Sequence, residues 1–369
     1  MPISNAFDPM AQYERLPVER ILLYQPSEDW TYSHHPHITF FNDRFVVMWS
    51  NGHKDEDMPG QRVLMTSSAD FQTWQKPTPL ADSQPGRCGE AVLTACGFHA
   101  HDGTLVAYIG QYEYKEVIVV DGQQRLYDHG HEGTRLRALT TTNGNEWSNW
   151  NETGLPVISN HGPQRTASGR LIISGNISYP YTNDSSGLSG WVMSGIYPPE
   201  IHGTVVDDSE SIHAVQKLQG WEGMLCEGSF YQTDDRIIHM LLRSCTEWLW
   251  LTESRDDGIT WSAPAKTSFS DNGSKFHLGR LPDNRFYYVG CPNPKNARTP
   301  LILSLSNDGV TFGRHFIIAD EPYEIQCNGQ FKGGEYGYPH TLVHNGYLYV
   351  VVSRQKEAIE VIRMPLDVI

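Results

Sequence analysis

Polar and apolar positions alternate over short runs along the chain, and turn residues break each run. The stretch Ile38-Thr-Phe-Phe-Asn-Asp-Arg-Phe-Val-Val-Met-Trp49 shows it plainly, two apolar-rich halves around Asn-Asp. Such a pattern predicts two strands joined by a hairpin. Strand runs are predicted at His37–Trp49 with Gln61–Thr66, Thr104–Gln111 with Leu136–Thr141, Arg236–Arg243 with Glu247–Glu253, and Arg285–Gly290 with Leu301–Leu305. Two more units lie around Gly169–Asn176 with Trp191–Ile196, and at Pro339–Arg354 with Ala358–Arg363. Six units of about 55–60 residues fit a radial propeller, which hides its sheet edges. The strand Ile21–Tyr24 is expected to join the last unit and close the ring. The prediction is an all-β, six-bladed propeller forming one domain over residues 1–369, with seven blades as the less favoured count.

A short motif follows several of these runs. Ser254-Arg-Asp-Asp-Gly-Ile-Thr-Trp261 fits S-x-D-x-G-x-T-W at every fixed position. This is the Asp box, a hairpin turn. Gly258 supplies a positive φ, Asp256 bonds turn amides, and Trp261 packs between sheets. Degenerate copies span Ser67–Trp74, Thr140–Trp147 and Leu305–Phe312, each keeping the final aromatic. The boxes are architectural and say little about chemistry.

Composition narrows the class. Trp 10, Tyr 18, Phe 13, Gly 33 and Pro 22 suit strands and turns better than long helices. With 39% hydrophobic and 19% charged residues, the chain is not of disordered type. A formal net charge of −15 argues against nucleic-acid binding, which needs clustered Lys and Arg. An acidic sugar remains compatible, because a basic pocket can sit on an acidic protein. No apolar run is long enough to span a membrane, and Met1–Glu14 lacks the pattern of a signal peptide. The cysteines, at 88, 96, 226, 245, 291 and 327, form no CxxC pair and read as reduced thiols of a cytoplasmic protein.

Ordered landmarks give the chain its resemblance. His34-His35-Pro36 precedes the first hairpin. Asp55-Glu56-Asp57 precedes Gln61-Arg62-Val63 and the first box. Glu227-Gly228 and Leu242-Arg243-Ser244 precede the complete box. Glu335-Tyr336-Gly337-Tyr338-Pro339 precedes the last strands. In this order the chain resembles the sialidase-like propellers over most of its length. The resemblance implies a retaining mechanism with Tyr336 as nucleophile, Glu227 to activate it and Asp57 as acid. It also implies an arginine triad gripping a carboxylate. Here the first arginine is replaced by His34, Arg243 fits the second, and the third is matched only loosely, by Arg280.

The His-His-Pro opening and the loop His53–Gln61 resemble a further propeller group, one that removes α-1,4-linked rhamnose from glucuronate. That resemblance implies a catalytic histidine at His34 or His35. A uronate lyase needs a base, an acid and a cation for the carboxylate. The chain offers His34, His35 and His37; Arg87, Arg165, Arg243 and Arg280; and Tyr112, Tyr336 and Tyr338. Two residues apart, Tyr336 and Tyr338 share a face in a regular strand. Arg87, Gln164 and Arg165 stand at blade entrances and are expected at an axial funnel. Trp49, Trp221 and Trp248 are candidate sugar-stacking walls or plain packing. The run Asp55–Asp57 alone reads as a solvated loop.

No second His, Asp or Glu motif has a matching spacing, so no metal or other cofactor is assigned, and no motif supports a structural Ca²⁺. The expected function is release of a terminal sugar from an acidic oligosaccharide, L-rhamnose-α-1,4-D-glucuronate first, by a lyase or glycosidase. An exo-sialidase and a non-catalytic glycan-binding propeller are the alternatives. No nucleic-acid or membrane partner is expected.

Overall fold

Side chains that cap turns set the architecture. In the complete box Ser254 Oγ accepts from the Gly258 amide (2.8 Å) and Asp256 Oδ1 from the Thr260 amide (2.9 Å). Two degenerate copies bond the glycine amide in the same way, from Thr141 and Ser306, whereas in the first copy Ser68 Oγ accepts from the Asp70 amide. Their turns are one residue shorter than the eight-residue frame, so the Asp or Asn falls at Asp70, Asn143 and Asp308.

The computed structural model describes residues 3–87, 89–115, 119–120, 123–124, 131–295 and 298–369; Cys88 lies outside them. The chain forms a β-propeller of six sheets, with a two-stranded ribbon at Val119–Val120 and Gln123–Gln124. The inner strands are Tyr32–Phe41, Val92–His101, Gln164–Arg165, Cys226–Gln232, His277–Arg280 and Gly337–His344. Each sheet then meanders outward through hairpins. Glu19–Tyr24 adds antiparallel to Ala358–Pro365, with Ile21 opposite Val361, and so completes the sixth sheet. Glu14–Arg15 adds parallel to Arg314–Ala319.

Apolar clusters lie between successive sheets. Met48 packs with Ile109, Tyr108 with Ile173, Ile172 with Met240, Leu241 with Leu278, and Leu301 with Val350. Val351 with Val47 closes the ring from the sixth sheet to the first. The third sheet departs from expectation. Its strands are two residues long, and Trp191–Ile196 makes only isolated bridges, at Val192 and Gly195. Asp184 bonds Ser186 and Ser189 nearby, turning the chain where a ladder would run. The sequence pattern also missed a helix, Ser209–Gln219, N-capped by Asp208 and ended by left-handed Gly220. No helix among the described residues is long and apolar enough to cross a membrane.

Two box glycines separate backbone strain from packing. Gly144 has φ +78° and open space where a Cβ would stand; Gly258 has φ +86°, and its Cβ would meet Ile172 Cδ1 at 2.4 Å. Gly144→Ala is expected to cost about 1 kcal/mol and Gly258→Ala about 2–3 kcal/mol, read as shifts in urea midpoint at unchanged slope.

Candidate active site

Inner strands all run from one face of the molecule to the other, so their first residues share an end. Three of them bulge there. The register shifts between His34 and His37, between Cys226 and Gly228, and between Gly337 and His340. At each bulge one non-glycine residue takes a positive φ: His35 (52°), Glu227 (44°) and Tyr338 (53°). Such backbone costs about 1 kcal/mol or more per residue and re-aims the side chain. All three side chains line one cavity of about 370 Å³, with Asp57, Arg243 and Lys275.

The cavity wall holds a closed triad. Tyr338 Oη donates to Glu227 Oε1 and accepts from Arg243 Nη1 at 2.9 Å. Arg243 Nη1 also pairs with Glu227 Oε2. Burial would raise the Glu227 carboxyl, but the Arg243 charge and the Tyr338 hydrogen bond outweigh it and hold it below the usual range. Burial and the Glu227 charge push the Tyr338 phenol far up. The phenol is therefore neutral, with a base already on its proton and a cation on its oxygen.

Around the triad stand three further groups. His35 Nδ1 lies 3.1 Å from Ser50 Oγ, which also accepts from the Ala95 amide. His35 Nε2 faces Glu56 Oε1 at 3.4 Å. Glu56 is held ionised mainly by Lys356, against its burial. Burial first, and then the neighbouring Glu56 charge, raise Asp57 above the usual carboxylate range. Buried Lys275 lines the cavity 5.5 Å from the Tyr338 ring centroid and drops to about 8 by desolvation. It has no hydrogen-bond partner among the described residues.

The sequence candidates divide sharply. His35, Asp57, Glu227, Arg243, Tyr338 and Tyr112 line the cavity. His34 does not; its ring backs Tyr338 at 4.0 Å and its Nδ1 meets Ser353 Oγ at 2.6 Å. Tyr336 points elsewhere, its hydroxyl on the Glu321 carbonyl at 2.9 Å, because the bulge at Gly337 breaks the shared face expected with Tyr338. Arg280 pairs with Asp234, and Arg165 bonds the Gly169 carbonyl. Both follow the cavity-lining Lys275 and Asn160 by five residues in their inner segments, which at about 3.3 Å each carries them to the opposite face. Gln164 ties to the Phe230 carbonyl, and Arg87 pairs with Glu132 on the exterior. His37 sits deeper on the axis. Neither Trp49, Trp221 nor Trp248 lines the cavity, and Trp49 is fully buried packing. Asp55 is not solvated: it accepts from the Gln330 and Phe331 amides.

Sequence reasoning passed over Lys275, which no motif marks, and Asn176, whose Oδ1 accepts from the Glu227 amide at 3.2 Å. It also passed over Arg298, whose guanidinium lies 5.5 Å from the Tyr338 ring centroid. Among the described residues two groups have the donors and spacing for a metal ion: His34, His35 and Glu56 at the cavity, and His37, His161 and His340 on the axis. Chain spacing concealed the second, since its members come from three sheets.

Comparison with known proteins places this geometry. Residues 43–350 match the family model of the BNR repeat-like domain. No curated protein matches the sequence. Among solved structures, a protein of unknown function from Dyadobacter fermentans superposes with TM-score 0.65 at 14% identity, over 94% of this chain and 99% of that one. A sialidase superposes at 0.63 and 17% identity, over 99% of this chain but 35% of its own length. The Trypanosoma rangeli sialidase with sialic acid gives 0.61 at 12%, over 96% and 60%. At these identities the likeness concerns the fold.

Arg243→Met would leave Glu227 buried without its cation. We expect a loss of about 3–5 kcal/mol in unfolding free energy, most of it recovered by adding Glu227→Leu, as measured by urea unfolding of both variants.

Proposed function

Since the chain belongs to the BNR repeat-like domain family, with the fold of sialidases, we propose that it is a glycan-cleaving enzyme acting through Tyr338. One observation carries this reading: the Tyr338 hydroxyl is held between Glu227 and Arg243 at the wall of the cavity. The phenol oxygen attacks the anomeric carbon while Glu227 takes its proton. Protonated Asp57 gives its proton to the departing oxygen. Water, activated by the Asp57 carboxylate, then cleaves the glycosyl–tyrosine, and Glu227 returns the proton to the phenolate. The tyrosine inverts the anomeric carbon and the water, arriving on the opposite face, inverts it again, so the configuration is retained overall.

A neutral phenol suits an acidic substrate, because it approaches without the charge repulsion a carboxylate nucleophile would meet. Lys275 is the cavity cation free to receive the sugar carboxylate. We therefore favour the end of an acidic glycan, with rhamnose-α-1,4-glucuronate ahead of sialic acid, since histidines stand where the first arginine of a sialic acid grip would be. A second reading is elimination on a uronate. It is favoured by Lys275 itself, whose pKa of about 8 suits a base near neutrality.

Product analysis on a rhamnose-α-1,4-glucuronate oligosaccharide, with sialyl-lactose alongside, separates these readings. Sugar release without new ultraviolet absorbance supports hydrolysis; an unsaturated product lighter by one water supports elimination. For hydrolysis, Tyr338→Phe is expected to lower kcat about 10³-fold. Activity should also fall as pH rises through the elevated Asp57 pKa, because the acid must be protonated. Turnover unaffected by Tyr338→Phe overturns the assignment.

A further inference from the structure

Four histidines from four sheets meet on the axis below the cavity. Ring centroids of His37 and His340 lie 5.0 Å apart, His161 and His340 5.8 Å, His161 and His277 4.7 Å, and His277 and His340 4.5 Å. Two of these rings are short of partners. His37 Nε2 donates to the Ala95 carbonyl at 3.2 Å, which fixes the tautomer and leaves a lone pair on Nδ1. That Nδ1 is buried with nothing to bond. Both nitrogens of His161 are buried and unbonded as well. A buried polar atom without a partner is rare in a folded protein and asks for an explanation. His277 differs: its Nδ1 is committed to Thr341, accepting from the amide at 3.0 Å.

We propose that His37, His161 and His340 form a binding site for a first-row transition-metal dication, zinc first, on the axis of the propeller. One ligand atom from each lies within 4.8 Å of the others. A carbonyl accepting from the ring nitrogen that does not bind the metal, as Ala95 does from His37, is the arrangement metal-bound imidazoles commonly show. Three imidazoles and no carboxylate select zinc, copper or nickel and reject calcium and magnesium, which require oxygen ligands. His340 is the ligand that must adjust, since its Nδ1 now accepts a long 3.3 Å contact from the Ile38 amide. A water or His277 completes four-coordination. The ion would pin the first, third and sixth sheets at one point. Lys275, whose charge acts on all four rings, opposes the ion and limits its affinity.

The test uses tag-free protein, dialysed against chelator and then against zinc chloride, with bound metal counted by mass spectrometry. One zinc per chain is expected, together with a raised melting temperature. His161→Ala should weaken binding more than a hundredfold, and Lys275→Met should tighten it about tenfold. His35→Gln should leave the zinc stoichiometry and affinity unchanged, which separates the axial site from the His34–His35–Glu56 group. Copper-loaded wild-type protein should show couplings to three imidazole nitrogens in electron paramagnetic resonance, a readout that survives if a histidine variant fails to fold. Folded wild-type protein that takes up no zinc or copper overturns the proposal. So does binding lost in His35→Gln but kept in His161→Ala, or copper coupled to fewer than three nitrogens.

Discussion

Neighbouring sheets of a propeller meet at the axis without sharing a hydrogen-bond ladder, and everything in this molecule depends on how that gap is crossed. Here side chains cross it at least once at every junction. His37 reaches the Ala95 carbonyl, Ser159 the Cys96 carbonyl and Gln164 the Phe230 carbonyl. Ser229 receives the Leu278 amide, Thr341 meets His277, and His340 receives the Ile38 amide. A polar residue with one donor and one acceptor suits this duty because the facing backbone groups would otherwise stay unpaired in a dry core. His37, His277 and His340 answer that demand, and His161, with both ring nitrogens unbonded, does not. The cavity is what remains at the end where the inner strands bulge instead of closing.

Those bulges decide which residues can do chemistry. His35, Glu227 and Tyr338 each hold a left-handed backbone that L-residues avoid, at the mouth of the same cavity. Strain gathered at a site in this way is kept only when the surroundings overdetermine it. The Glu227–Arg243–Tyr338 triad does so by bonding the fourth sheet to the sixth. Cavity charge is the second constraint. Glu56, Glu227, Asp208, Asp57 and Asp207 face Arg243 and Lys275, and burial raises Asp57 and lifts Asp207 to about 7. Protonating these acids lowers the repulsion an anionic sugar would meet.

Much of the fold was legible because it is periodic. The Asp boxes, hairpin runs and closing strand repeat a local rule, and local rules survive into the structure. Residues of the cavity were legible where order along the chain fixes them, as with Glu227, Arg243 and Asp57. Tyr336 and Tyr338 show where this fails: strict alternation gives them one face, and a bulge at Gly337 gives them two. Arg280 and Arg165 show a related failure. Both sit on inner segments, but too far along to reach the cavity. Lys275, His161, His277 and His340 carry no local signature, since their neighbours are brought together only by closing the ring.

The pairing of Glu19–Tyr24 with Ala358–Pro365 also has a consequence for synthesis. Tyr338 and its bulge belong to a sheet whose outermost strand is made first and whose remaining strands are made last. During translation the early strand must wait, unpaired, while five sheets emerge. The cavity wall that holds Tyr338 can therefore form only after most of the chain has left the ribosome. A message cut short before Ala358 lacks the strand that joins Glu19–Tyr24 to the sixth sheet and leaves an open edge there, a surface that favours aggregation.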